Sequence, residues 1–285
     1  MPRALVFGAS GQIGRPLLAR LHDGGWDVVA VSRNAQAGAP GVRWVQGGFP
    51  GIDGLPRGVD ALVSCGPLDA FAAWHATHDV GAASVVVFGS TSVHVKADSA
   101  DAAERDVAAR LLAGERSVLA TADARGARAV VLRPTLVYGS GRDRTLSQIA
   151  ALAQRWGRFV LPRGATGLRQ PVHVDDLAEA AVAALQASAA RDAFDLPGGE
   201  ALPYRDMVRR VLATLQPSPR LHEVPAPLFA TAVALARATG RLGGFGDAAL
   251  ARLRQDLVFD ASPARAAFGY APRPFGPTAP MFSGD

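Results

Sequence analysis

Residues 4–14 read Ala4-Leu5-Val6-Phe7-Gly8-Ala9-Ser10-Gly11-Gln12-Ile13-Gly14. The four apolar residues make a short strand without polar alternation, the mark of a strand buried on both faces. Glycines then recur at three-residue intervals and a helix follows over Gly14–Leu21, with Pro16 tolerated in its first turn. A phosphate can sit on a helix N-terminus only where the backbone turns tightly and approaches closely, which glycine at these positions allows. Gly8, Ser10, Gly11, Gln12, Ile13 and Gly14 are therefore expected to hold a nucleotide pyrophosphate. The second strand, Val28–Ser32, ends in Ser32-Arg33-Asn34 with no acidic residue. An acid there would bond the ribose hydroxyls of NAD and repel a 2′-phosphate; Arg33 instead offers that phosphate a charge-assisted fork, and Ser32 a hydroxyl. NADP is the expected cofactor, in preference to NAD.

Outward from this turn the same pattern repeats. Ala4–Phe7, Val28–Ser32, Val42–Gln46, Ala61–Ser64, Ser84–Phe88 and Ala129–Leu132 each read as a short buried strand, separated by helices over Gly14–Leu21, Ala70–His78 and Ala102–Ala122. Alternating strands and helices predict an α/β fold, a doubly wound parallel sheet covered on both faces. Past Tyr138 the character changes. A Gly/Arg-rich connection leads to a helix over Leu146–Trp156; Pro171–Ala187 reads as an extended stretch and then a helix capped by Asp175 or Asp176; Phe194–Leu196 adds a strand. Helices are then expected near Tyr204–Leu215, Leu228–Thr239 and Ala248–Leu257. The expected organisation is a nucleotide-binding domain over 1–140, completed by about 171–197, and a smaller, mainly helical substrate lobe from 141–170 and 198–285.

Of the 285 residues, 49% are hydrophobic and 19% charged, enough for a large core and too little polarity for a disordered chain. The longest apolar candidate, Ala226–Ala236, is too short to span a bilayer, and the N-terminus runs straight into a strand. A single cysteine, Cys65, excludes an intrachain disulfide and fits a reducing cytoplasm, the expected location. No membrane partner and no metal site are expected. The isoelectric point near 10.2 reflects a chain with 29 Arg and one Lys, Lys96, where little titrates above neutrality. The local charge is more informative. From Arg142 to Arg169 six arginines (142, 144, 155, 158, 163 and 169) face one acid, Asp143, a surplus of +5 that equals the net charge of the whole chain. Either an anion site, with Arg142 and Arg169 as its candidate ligands, or a solvated arginine face accounts for it. No recognition motif or aromatic platform accompanies the arginines, so nucleic acid is not an expected partner.

These residues together resemble the extended, epimerase/dehydratase-like branch of the short-chain dehydrogenase/reductase superfamily. The resemblance runs over essentially the whole chain. It rests on the Gly8/Gly11/Gly14 spacing, Phe88-Gly89-Ser90-Thr91-Ser92-Val93, Leu132-Arg133-Pro134-Thr135-Leu136-Val137-Tyr138-Gly139, and Arg169-Gln170-Pro171-Val172-His173-Val174-Asp175-Asp176-Leu177-Ala178. It implies a Rossmann domain with a C-terminal substrate lobe. It further implies a catalytic hydroxyl at Thr91 or Ser92, a diphosphate contact at Arg169, and structural roles for His173, Asp175 and Asp176.

One departure is larger than any match. The family's general acid/base is a Tyr followed four residues later by a Lys, and no Tyr-x-x-x-Lys exists in this chain. Aligning through Glu115 puts Val107 and Leu111 at those positions, and neither can carry a proton. Gly47-Gly48-Phe49 likewise stands where the family often has an acid near the adenine. His94 is the first candidate substitute, since imidazole gives protons near neutrality; Tyr138 is the second, and Arg110 could orient a ribose. Ser92-x-x-x-Lys96 has the spacing of a nucleophile pair, one cheaply met by chance. The expected function is an NADP-dependent oxidoreductase or epimerase-like enzyme with a non-standard proton donor, acting on an anionic, possibly nucleotide-linked substrate as a monomer or homodimer. The alternative is an inactive NADP(H)-binding sensor, regulator or assembly factor.

Overall fold

The computed structural model describes residues 1–38, 40–143, 145–238 and 251–282. In chain order the elements are β1 (Arg3–Phe7), α1 (Gly14–Asp23), β2 (Asp27–Ser32), β3 (Val42–Gln46), β4 (Gly58–Ser64), α2 (Leu68–Thr77), β5 (Gly81–Phe88), the single turn α3 (Ser92–Val95), α4 (Ala102–Ala124) and β6 (Arg128–Pro134). There follow β7 (Val137–Tyr138), α5 (Leu146–Trp156), β8 (Arg158–Pro162), β9 (Leu168–Arg169), β10 (Val172–His173), α6 (Val174–Gln186), β11 (Asp192–Leu196), β12 (Leu202–Pro203), α7 (Tyr204–Ala213), β13 (Arg220–Val224), α8 (Ala226–Ala238) and α9 (Ser262–Phe268). Among the described residues no helix is long and apolar enough to cross a membrane.

The chain divides into two compact units. Unit 1 comprises Met1–Thr135, Val174–Pro197 and Asp260–Pro272. Its seven-stranded, all-parallel sheet has the order β11-β6-β5-β4-β1-β2-β3, the doubly wound Rossmann arrangement. The central strands are apolar on both faces because both are covered: Ala4, Leu5, Val6, Val85, Val86 and Val87 are all fully buried. One face packs Leu5, Phe7, Val29, Leu62 and Val87 against Phe71 and Trp74 of α2 and Val118 of α4. The other is covered by α6 and by α1, which pack on each other. Arg128, at the start of β6, is buried and donates to the carbonyls of Ala184, Leu185 and Ala190, satisfying the open C-terminal end of α6.

The strands run further than their apolar cores. β4 starts at Gly58 and β5 at Gly81, where ladder pairing of Gly58 with Gly81 continues through residues that hydrophobicity alone does not mark. Asp175 and Asp176 lie inside the first turn of α6 rather than at its cap, where their charge still complements the helix dipole. Asp260–Pro272, assigned to the smaller lobe from sequence, belongs to unit 1. There α9 packs on α6 and β11, Phe268 sets its edge against Phe194, and Tyr270 donates to the Pro197 carbonyl at 2.8 Å. The physical reason is that β11 is an edge strand, and an edge is more stable covered.

Unit 2 comprises Leu136–His173, Gly198–Phe259 and Arg273–Asp285. Its core gathers Leu146, Ile149 and Ala153 of α5 with Met207, Val208 and Val211 of α7, closed by Tyr138, Leu253 and Phe275. It is less helical than expected: β8 pairs in parallel with β13, β9 antiparallel with β12, and β7 in parallel with β10. The segments RFVLP and RLHEV carry charges and a proline, so neither shows a strand period alone; pairing makes them strands. The helix expected near Leu228–Thr239 forms as Ala226–Ala238, while Thr239 and the start of that expected near Ala248–Leu257 lie outside the described residues.

Candidate active site

The glycine turn joins β1 to α1 where β1 lies between β2 and β4, the point at which the strand order reverses and at which such sheets bind ligands. Gly8 has φ +69°, and a Cβ there would lie 2.8 Å from the Cys65 carbonyl carbon and from the Gly66 nitrogen. A Cβ on Gly14 would lie 2.3 Å from the Gly8 oxygen. Both positions therefore require glycine on steric grounds. The Gly11 N–H donates to the Gly8 oxygen and closes the turn. Ile13 is the buried N-cap residue of α1, and among the described residues α1 has no side-chain cap and no acid in its first turn.

A cleft of about 390 Å³ opens here, lined by Gly8, Ser10, Gly11, Ser32, Arg33 and Phe49 among others. The Ser10 and Ser32 hydroxyls are 2.9 Å apart, and the Asn34 N–H donates to the Ser32 hydroxyl. Arg33 is exposed on the rim and, among the described residues, forms no ion pair. Gly48 makes room for its stem, since a Cβ there would meet Arg33 Cγ at 3.0 Å. Phe49 stacks on Phe7 at 5.3 Å, so the wall where an acid was possible is aromatic. Gln12 is half-buried in the turn. Cys65 lines the same cleft, but burial pushes its thiol up to about 12, so it presents no thiolate at neutral pH.

A second group of polar residues gathers where β5, β6 and β11 end. Thr91 is buried and its hydroxyl donates to the Pro134 carbonyl at 3.2 Å. The Ser92 hydroxyl accepts from Ser90 at 3.0 Å. His94, on α3, places Nε2 3.1 Å from Asp195 Oδ1 and 3.4 Å from an Arg133 nitrogen. Arg133 grips the buried Glu115 carboxylate with two bonds, of 2.9 and 2.5 Å, which hold its guanidinium above the ordinary arginine value. Val107 and Leu111 are half-buried, and Leu111 packs on the core. Arg110 is tied to Asp106 and Asp69 on the helix surface, which corrects its suggested ribose role. Lys96 faces Glu104 at 3.9 Å. In the sequence Glu115 serves only as an alignment landmark, and neither Asp195 nor Arg133 stands out as a candidate. No local signal marks Asp195, which stands in an ordinary strand.

Unit 2 holds the remaining candidates, and two change role. Tyr138 is 1% exposed, edge-on to His173 and Phe275, and its hydroxyl accepts from the Gly276 N–H. An aromatic ring so enclosed is core, not an accessible proton donor. Arg169 is 6% exposed, lies over the Tyr204 ring, and donates to the carbonyls of Leu168, Arg252 and Gln255. Burial pulls its guanidinium below the ordinary arginine value. With its donors on backbone oxygens, Arg169 is a staple of unit 2 rather than an open anion ligand. Arg142, Arg155, Arg158 and Arg163 are exposed, so the positive surplus is largely a solvated face; Arg144 lies outside the described residues. Arg169→Ala leaves three part-buried carbonyls without that donor and is expected to lose about 2–3 kcal/mol of stability in urea unfolding. An unchanged midpoint would show that the staple contributes nothing.

The profile of the NAD dependent epimerase/dehydratase family matches residues 4–111 and 66–196. The chain belongs to that family. It is 27% identical, over 318 aligned positions covering 95% of each protein, to the 2-alkyl-3-oxoalkanoate reductase of Stenotrophomonas maltophilia (strain K279a). MoeE5, solved in complex with UDP-glucose and NAD, shares the fold with a TM-score of 0.68 and 20% identity, covering 95% of this chain and 93% of that one. The UDP-glucuronic acid 4-epimerase of Bacillus cereus, solved with NAD, does so with a TM-score of 0.68 and 13% identity over the same shares.

Proposed function

We propose that the protein is an NADP(H)-dependent oxidoreductase or epimerase-like enzyme acting on an anionic carbonyl or alcohol substrate, with His94 moving the proton. The observation that carries this is the cleft at the β1–β2 end: a glycine turn on an uncapped helix, flanked by Arg33 and Ser32 with no acid at the strand end. Gly8–Gly14 would hold the pyrophosphate of a bound dinucleotide and Arg33 its 2′-phosphate. When bound, its nicotinamide gives or takes a hydride. In the reducing direction His94 passes its proton to the substrate oxygen and regains one from solvent, to which its side chain is 45% exposed. The curated relative, named for a 3-oxo acid, makes a 2-alkyl-3-oxoalkanoate the first substrate to assay, and nucleotide-sugars the second. A monomer or homodimer in a cytoplasm holding NADPH suits this reading.

Calorimetry tests the cofactor. NADPH is expected to bind at least about tenfold tighter than NADH, and Arg33→Ala to remove the difference, since one charge-assisted contact contributes about 1.5–3 kcal/mol. Equal affinities in the wild type would sink the assignment. A second reading, a non-catalytic NADP(H) sensor, regulator or assembly factor, is favoured by the apolar Val107 and Leu111. It takes over if neither substrate class exchanges hydride with bound cofactor.

A further inference from the structure

His94 does not stand alone, and its surroundings are more organised than a surface loop requires. Its Nε2 meets a carboxylate, Asp195, contributed by β11 at the edge of the sheet, 101 residues away in the chain. The Asp195 side chain is 21% exposed, and its Oδ1 lies 3.9 Å from Arg133 on the neighbouring strand β6. Arg133 in turn is gripped by Glu115 of α4. On the His94 segment itself Lys96 is turned to Glu104. Among the described groups that face His94 are Asp195 and Arg133, with Glu115 behind.

The charges decide what this chain can do. Arg133 approaches the same Nε2 at 3.4 Å. Glu115 neutralises that guanidinium, and Asp195 supplies the second negative charge. A carboxylate hydrogen-bonded to one imidazole nitrogen also fixes the ring's rotation and tautomer.

We propose that Asp195, braced by Arg133, is the positioning residue of His94: it holds Nε2–H and so sets the orientation from which the imidazole exchanges its proton. The inference rests on the proposed role of His94, and the experiments separate the two. With NADPH and a 2-alkyl-3-oxoalkanoic acid, the isosteric Asp195→Asn is expected to lower kcat by about 10–100-fold, the usual cost of losing an orienting partner. KM, NADPH affinity and Tm should stay near wild type, which a merely structural role would not give. The double variant His94→Ala/Asp195→Asn should be no slower than His94→Ala, because Asp195 acts only through the ring. If His94→Ala is slow while Asp195→Asn matches wild type, or if the two losses multiply in the double variant, the positioning role is overturned and His94 survives. If His94→Ala itself matches wild type, the proton-donor reading falls, and with it the role of Asp195. A further readout needs no substrate: in ¹⁵N NMR of the full chain at a pH where the ring is neutral, His94 should hold its proton on Nε2, and Asp195→Asn should let the two tautomers mix. Identical ring spectra would overturn the proposal.

Discussion

Replacing His94 by alanine should lower turnover about 10²–10⁴-fold, the range for loss of a true general acid, while NADPH affinity stays intact. The ring is nearly half exposed and sits on the one-turn α3, so its removal costs little packing, and the effect should fall on kcat. Reduction of a carbonyl must place a proton on the substrate oxygen; the chain contains no Tyr-x-x-x-Lys, and Val107 and Leu111, half-buried and apolar, carry no proton. Val107→Ala and Leu111→Ala should therefore change stability and leave the rate alone, since both are packing residues. A wild-type rate for His94→Ala, on a substrate the wild type turns over, would remove His94 from the mechanism.

Glu115→Ala should be the most destabilising of the changes considered. Glu115 is 2% exposed and bonded twice to Arg133, whose side chain is 16% exposed, so the variant leaves a guanidinium in the interior with its main partner gone. Breaking one side of such a pair costs about 3–5 kcal/mol, and Asp195 at 3.9 Å compensates only in part, which favours the lower end. Urea unfolding should show the loss as a shifted midpoint at constant m. Glu115→Gln keeps the shape and one acceptor and should cost less. A loss below about 1 kcal/mol would mean the pair behaves like a surface ion pair.

The parts legible in the chain were those set by local or periodic demands. The Ala4–Phe7 run followed by glycines at 8, 11 and 14 announces β1, the turn and α1, because apolar two-face strands and close backbone approach each restrict residue type where they occur. Arg33, the residue directly after β2, lines the cleft. The charge surplus from Arg142 to Arg169 misled, since counting charges cannot separate an exposed Arg158 from a buried Arg169 whose donors are taken by carbonyls.

The sequence by itself determined the doubly wound sheet, the glycine turn, the acid-free end of β2 and the absence of any Tyr-x-x-x-Lys, all matters of residue type at short spacing. Only the tertiary structure decided that Asp195 meets His94, that Glu115 and Arg133 brace the pair, that Tyr138 and Arg169 belong to the core of unit 2, and that Asp260–Pro272 covers β11. Those outcomes depend on which strand docks beside which. Asp195 reaches His94 because β11 pairs with β6 and β6 with β5, bringing three chain-distant strand ends to one edge. Hydrophobic burial drives that docking, and it is blind to the few polar side chains that it brings within hydrogen-bond reach.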